Sequence, residues 1–88
     1  MKIHFVRNVQ FTKMVKANGR LKEFNFRKVK KDEQELFTVD VSDDRGNRII
    51  FSMEKADGQW KIKEENLPDW VMENENKLGE LIQEEGEG

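Results

Sequence analysis

Phe37-Thr38-Val39-Asp40-Val41-Ser42 alternates apolar and polar side chains without a break, and its reading decides the fold. Successive side chains of an extended strand point to opposite faces, so Phe37, Val39 and Val41 share one face and Thr38, Asp40 and Ser42 the other. The same period continues in both directions. Phe24 and Phe26 alternate with Glu23, Asn25 and Arg27, and Ile49, Phe51 and Met53 alternate with Ile50, Ser52 and Glu54. Trp60 and Ile62 alternate with Lys61 and Lys63. Each strand therefore offers one apolar and one wet face, as an antiparallel sheet covered on a single side requires.

Between these runs lie short turn signals. Asn18-Gly19 and Asp57-Gly58 can each supply the two positive φ angles of a type I′ hairpin turn. Asp43-Asp44-Arg45-Gly46-Asn47 is a longer polar reversal, and Lys31-Asp32-Glu33-Gln34 a fourth connection without glycine. Links this short make sequence neighbours spatial neighbours, hence a meander. The first ten residues fit less well, because Val6 breaks the alternation of Ile3 and Phe5. Lys2–Arg7 reads either as a short edge strand or as the approach to a strand starting near Phe11.

At Leu67 the period changes. Leu67, Trp70, Val71, Asn74, Leu78, Leu81 and Ile82 recur at spacings of three and four, one stripe of a helix. Asn66 suits the N-cap, Pro68 the first turn, and Asp69 the positive end of the helix dipole. Gly79 weakens the interior, and Glu84 and Glu85 oppose the dipole, so fraying is expected after about Ile82. The predicted architecture is α+β: an antiparallel four- to five-stranded β-meander with one C-terminal α-helix packed on its apolar face. It forms one domain over residues 1–83, followed by a disordered acidic tail, 84–88.

Eighty-eight residues without cysteine have neither disulfides nor thiolate-bound zinc to brace a thin core. The longest apolar run, Ile49-Ile50-Phe51, excludes a membrane span and a signal-peptide core. A cytoplasmic, soluble protein is expected, in keeping with 39% charged residues.

Charge is sorted along the chain. Residues 1–31 hold ten Lys or Arg against one acid, a local charge of +9. Residues 32–88 hold six basic residues against seventeen acids, a local charge of −11. Either half offers a surface to an oppositely charged partner, or the two neutralise each other within the fold. The candidate phosphate contacts are Lys13, Lys16, Arg20, Lys22 and Arg27. Against them, the aromatic residues face the core and provide no base-stacking platform. Lys22, Lys28 and Lys30 also share parity with Phe24 and Phe26, which places them at strand ends more readily than on the wet face. A solvated charge run that protects sheet edges is the commoner use. Glu73, Glu75, Glu80, Glu84, Glu85 and Glu87 form an acidic outer side of the helix, a docking surface or merely a solubilising one.

Paired acids such as Asp43-Asp44 and Glu64-Glu65 have no cleft to shift their pKa. The spacing of Asp40, Asp43, Asp44 and Gly46 misses that of a calcium loop. His4 reads as an ordinary strand histidine. No nucleophile elbow or phosphate-cradling glycine loop is present. No cofactor, metal or catalytic role is expected. Met72 falls off the helix stripe and is the candidate for a self-association surface.

The order of elements from Phe11 to Ile82 resembles a repeat of the purine-rich-element-binding (PUR) family. The likeness runs through Phe11-Thr12-Lys13, Glu23-Phe24-Asn25-Phe26-Arg27-Lys28-Val29-Lys30, Glu35-Leu36-Phe37-Thr38-Val39-Asp40-Val41 and Asn47-Arg48-Ile49-Ile50-Phe51 to the helix. It implies a ββββα fold and single-stranded nucleic-acid binding on the sheet. The extra hairpin at Asp57–Lys63, the absent stacking aromatics and the acidic helix depart from that pattern. The expected function is a small non-enzymatic binding or structural module, with protein–protein interaction or self-association ahead of single-stranded nucleic-acid binding.

Overall fold

The computed structural model describes residues 9–31 and 34–86. Residues 1–8, with His4 and the candidate strand Lys2–Arg7, lie outside them, as do Asp32, Glu33, Glu87 and Gly88. The alternating runs form five strands: β1 Gln10–Ala17, β2 Arg20–Lys31, β3 Gln34–Ser42, β4 Arg48–Ala56 and β5 Gln59–Ile62. They make one antiparallel sheet in the order β1-β2-β3-β4-β5, the meander that the short links dictate.

Turn chemistry fixes the register. Asn18 and Gly19 adopt φ of 55° and 77°, and Asp57 and Gly58 adopt 53° and 79°. Ala17 pairs with Arg20 and Ala56 with Gln59 across these two-residue turns. Between β3 and β4 the Asp43 carboxylate accepts the backbone N–H of Arg45 at 2.9 Å and that of Asn47 at 2.8 Å. That side chain holds the reversal which Gly46 completes at φ 83°.

Alternation then sorts the side chains. Val15, Ala17, Phe24, Phe26, Phe37, Val39, Val41, Phe51, Met53 and Trp60 are buried in one cluster, joined by Val71, Leu78, Leu81 and Ile82. Phe11 stacks on Phe26 with ring centroids 4.6 Å apart, and Phe37 meets Trp60 edge-on at 5.3 Å. Such offset and T-shaped contacts suit the ring quadrupoles.

The C-terminal segment departs from the single helix predicted from residue 67. Its first piece, α1 Asp69–Met72, starts after Pro68, and no side chain caps it, so Asn66 is not the N-cap. The helix breaks at Asn74, whose φ of −96° and ψ of 7° lie outside helical values, and resumes as α2 Glu75–Leu81. Asn74 donates its side-chain amide to the Trp70 carbonyl at 2.6 Å, satisfying an acceptor near the break. Its place on the stripe reflects this bond rather than apolar packing.

Residues 84–86, expected in a disordered tail, instead continue the helix as a π-turn, Ile82–Gly86. Tertiary contacts override the poor local signals. A Cβ on Gly86 would run into Cζ of Phe37, so only glycine fits against that buried ring. Gly79 likewise lies against Trp60, where a Cβ would sit 3.3 Å from the Trp60 Cβ and 3.5 Å from its carbonyl oxygen.

Helix propensity favours alanine over glycine by about 1 kcal/mol, while overpacking a filled site costs about 1–3 kcal/mol. Trp60 packs edge-on against Phe37, which leaves its Cβ little room to give. Gly79→Ala is therefore expected to lower stability by about 1 kcal/mol, read as a lower urea midpoint at unchanged slope. A raised midpoint would show that α2 and β5 are not in close contact.

Candidate functional site

The outer face of the sheet consists of the residues that alternate with the core. In register across four strands, Thr12 faces Asn25, Asn25 faces Asp40, and Asp40 faces Ile50. Side chains follow this rung. Thr12 Oγ1 donates to Asn25 Oδ1 at 2.7 Å, and Asn25 Nδ2 donates to Asp40 Oδ1 at 3.0 Å. Arg48 Nε lies 3.7 Å from the same Asp40 oxygen. A shallow trough of about 320 Å³ opens along this ladder, between Arg27 and Thr38 on one side and Arg48 and Ile50 on the other. The large exposed apolar residues also belong to this face: Met14 at 57%, Leu21 at 67% and Ile50 at 59% exposure.

The structure disperses the candidate phosphate contacts. Lys13 points to the core side and pairs with Glu85 at 3.3 Å. Lys16 and Arg27 are exposed on the outer face, yet Lys16 faces Leu21 and Arg27 faces Gln10, six residues apart along β1. At about 3.3 Å per residue that is roughly 20 Å, with Glu23 between them. Arg20 is exposed at the hairpin end, near enough to Asp44 to help keep that carboxylate charged.

Lys22 is withdrawn altogether. Parity turns it inward with Phe24 and Phe26, and it is only 7% exposed. Its ammonium donates to Asp44 Oδ1 at 2.7 Å and stands 4.9 Å from the centroid of the Trp70 ring. A buried charge needs a partner, and here a carboxylate and an aromatic face supply one. The contact joins β2, the β3–β4 turn and α1, a connection that no local motif announces.

Met72 is half-buried, not exposed, so it does not mark a free apolar surface; Met14, Leu21 and Ile50 occupy that role. The acidic helix face is also reduced. Glu75 accepts the Ile62 backbone N–H at 2.8 Å, and Glu85 turns to Lys13. Glu64 accepts the Ser52 N–H at 2.8 Å, just past the end of β5. These acids close backbone donors at the sheet margin.

Asp43 and Asp44 are held below the usual carboxylate range. For Asp43 the main cause is the backbone N–H of Asn47, and for Asp44 the hydrogen bond from Lys22. Among the described residues no group of His, Cys, Asp or Glu is placed to hold a metal ion. Among them, too, no helix is long and apolar enough to cross a membrane.

No family model matches the chain, and no solved structure matches it. A Caenorhabditis elegans protein, progestin and adipoQ receptor-like protein 1, is 31% identical over 64 residues. The overlap takes in 68% of this chain and 15% of that protein. The chain thus spans a small part of the relative it matches.

A carboxylate whose folded pKa is depressed contributes stability above its unfolded pKa, near 3.8 for Asp43 and Asp44, and loses it as pH falls through the lower folded value. Acid unfolding is therefore expected to begin below about pH 4, with Asp44→Asn flattening the acid limb. Replacing a buried ion pair by an apolar side chain is often neutral, whereas removing one partner strands the other. Lys22→Met is expected to keep the urea midpoint within error or raise it, and Asp44→Asn to lower it. Equal losses in both variants would show that Lys22 is not buried as described.

Proposed function

We propose that the chain is a non-enzymatic protein-interaction module that uses the outer face of its sheet. The observation carrying this reading is the placement of Met14, Leu21 and Ile50. Three large apolar side chains stand exposed on one face, while the apolar residues of the opposite face are buried or partly buried. In this reading the segment 69–86 roofs the apolar face and leaves the outer face to a partner. Met14 and the arginines Arg27 and Arg48 near the polar ladder are residue types that interfaces favour. The depressed carboxylates of Asp43 and Asp44, engaged in a turn and an ion pair, support a non-catalytic role. A cytoplasmic setting belongs to the same reading.

The first occupant to test is a second copy of the chain. Self-association is expected in sedimentation experiments, surviving moderate salt and weakening in a Met14→Ser, Leu21→Ser, Ile50→Ser variant. A monomer at all concentrations, with the variant indistinguishable from it, would remove self-association as the form this module takes.

A second reading, single-stranded nucleic-acid binding on a PUR-like sheet, is favoured by one observation. Lys16, Arg20 and Arg27 are exposed and make no ion pair among the described residues. Retention of a short single-stranded oligonucleotide, falling steeply with salt and lost in Lys16→Glu with Arg27→Glu, would support it. No retention at low salt would sink it.

A further inference from the structure

We propose that the trough along the Thr12–Asn25–Asp40 ladder is a carboxylate-binding site. It takes an acidic residue of a partner's peptide segment between Arg27 and Arg48, with a neighbouring apolar residue on Ile50. The proposal rests on the interaction reading above and deepens it by naming the chemistry of the partner.

Three observations carry it. First, both guanidinium groups line the same depression from opposite sides, Arg27 from β2 and Arg48 from β4. Arg27 makes no ion pair among the described residues. Arg48 offers Asp40 only a 3.7 Å contact through Nε, so its terminal nitrogens remain available for a fork-like bond. Second, the floor is built before any ligand arrives. Thr12 fixes the Asn25 amide, Asn25 fixes Asp40, and Asp40 steadies Arg48. Third, the charge count selects the ligand. Two guanidiniums against the Asp40 carboxylate leave +1 in the trough, which suits one carboxylate.

A phosphate backbone fits less well. Beyond Arg48 the surface continues into a second depression lined by Arg20 and Lys22 against Glu23, Asp43 and Asp44, where the acids outnumber the cations by one. A chain bearing a charge at every step would meet those acids. A peptide can place a neutral or basic residue there instead. Ile50 and the half-buried Val29 give the trough an apolar wall that an aliphatic side chain covers.

The test uses acetyl-Val-Glu-Leu-Ser-Val-amide, its glutamine analogue and a twelve-residue oligothymidylate, each titrated into the isotope-labelled protein and followed by amide chemical shifts. The acidic peptide is expected to shift Asn25, Arg27, Thr38, Arg48 and Ile50 saturably below about 1 mM. The glutamine peptide should bind about tenfold more weakly, and Arg27→Gln and Arg48→Gln should each lose about tenfold. Both arginines are exposed, and retained spectral dispersion reports that the variants fold. Absence of saturable shifts in the trough, equal binding of the two peptides, or tighter binding of oligothymidylate at these residues would each overturn the proposal. Self-association that persists while the acidic peptide fails would sink the carboxylate site and leave the interaction reading standing.

Discussion

Phe37 is the contact on which the rest depends. Its ring is removed from water, 6.1 Å from Phe11 and 5.3 Å from Trp60, and it leaves no space for a Cβ at Gly86. One side chain in the central strand therefore meets a residue of β1, one of β5 and the end of the chain. Removing a buried phenylalanine costs about 3–5 kcal/mol. A small domain has only about 5–15 kcal/mol in total. With no disulfides to help, this packing ties β1, β5 and the π-turn to one point among the described residues. Two glycines follow from the same constraint, because Gly79 and Gly86 let the helical segment approach Trp60 and Phe37 closely.

Part of the segregation of charge along the chain is consumed by folding. Lys13 meets Glu85, Lys22 meets Asp44 and Lys28 meets Glu35, and each pair joins the basic half to the acidic half. Exposed pairs of this kind contribute about 0–1 kcal/mol, so the first and third do little more than cancel charge. The second differs because Lys22 is buried, and its stranding, more than its pairing, has the large consequence. After these pairings Lys16 and Arg20 near the β1–β2 hairpin, and Arg27 on the outer face, keep no ion pair among the described residues.

Much of the fold is legible in the residues. Period-two alternation locates β2 to β5, while β1, where Lys13 and Met14 invert it, is legible only as a strand starting near Phe11; Asn18-Gly19 and Asp57-Gly58 set two registers, because each depends on local geometry alone. The helical stripe identifies Val71, Leu78, Leu81 and Ile82 as buried for the same reason. What local signals miss is decided by contacts far apart in sequence. Asn74 fits the stripe by spacing but breaks the helix by donating to the Trp70 carbonyl. Glu84–Gly86 looks unfit for a helix until Phe37 and Lys13 come into view.

 Of the candidate site, parity alone hints that Lys22 turns inward. Arg48 escapes notice because it sits in the acidic half of the chain, and only the β3–β4 register, which pairs it with Ser42, brings it diagonally beside Asp40 and to the same trough as Arg27.

The two faces of the sheet answer to different demands, and this gives the outer face its interest. The inner face must exclude water, and nearly every residue there is fixed by volume. A face that only had to stay soluble would need nothing more than charged side chains pointing into solvent. The outer face instead places a threonine, an amide and a carboxylate in one hydrogen-bonded rung across three strands, with aliphatic residues beside it. Surface hydrogen bonds of this kind add only about 0.5–1.5 kcal/mol each, too little to explain the arrangement as a device for stability. They do, however, hold side-chain directions that free lysines and glutamates would not hold. Fixed polar directions next to exposed aliphatic area lower the ordering cost of binding. For that reason the rung, rather than the more numerous scattered cations, is where recognition by this chain is best sought.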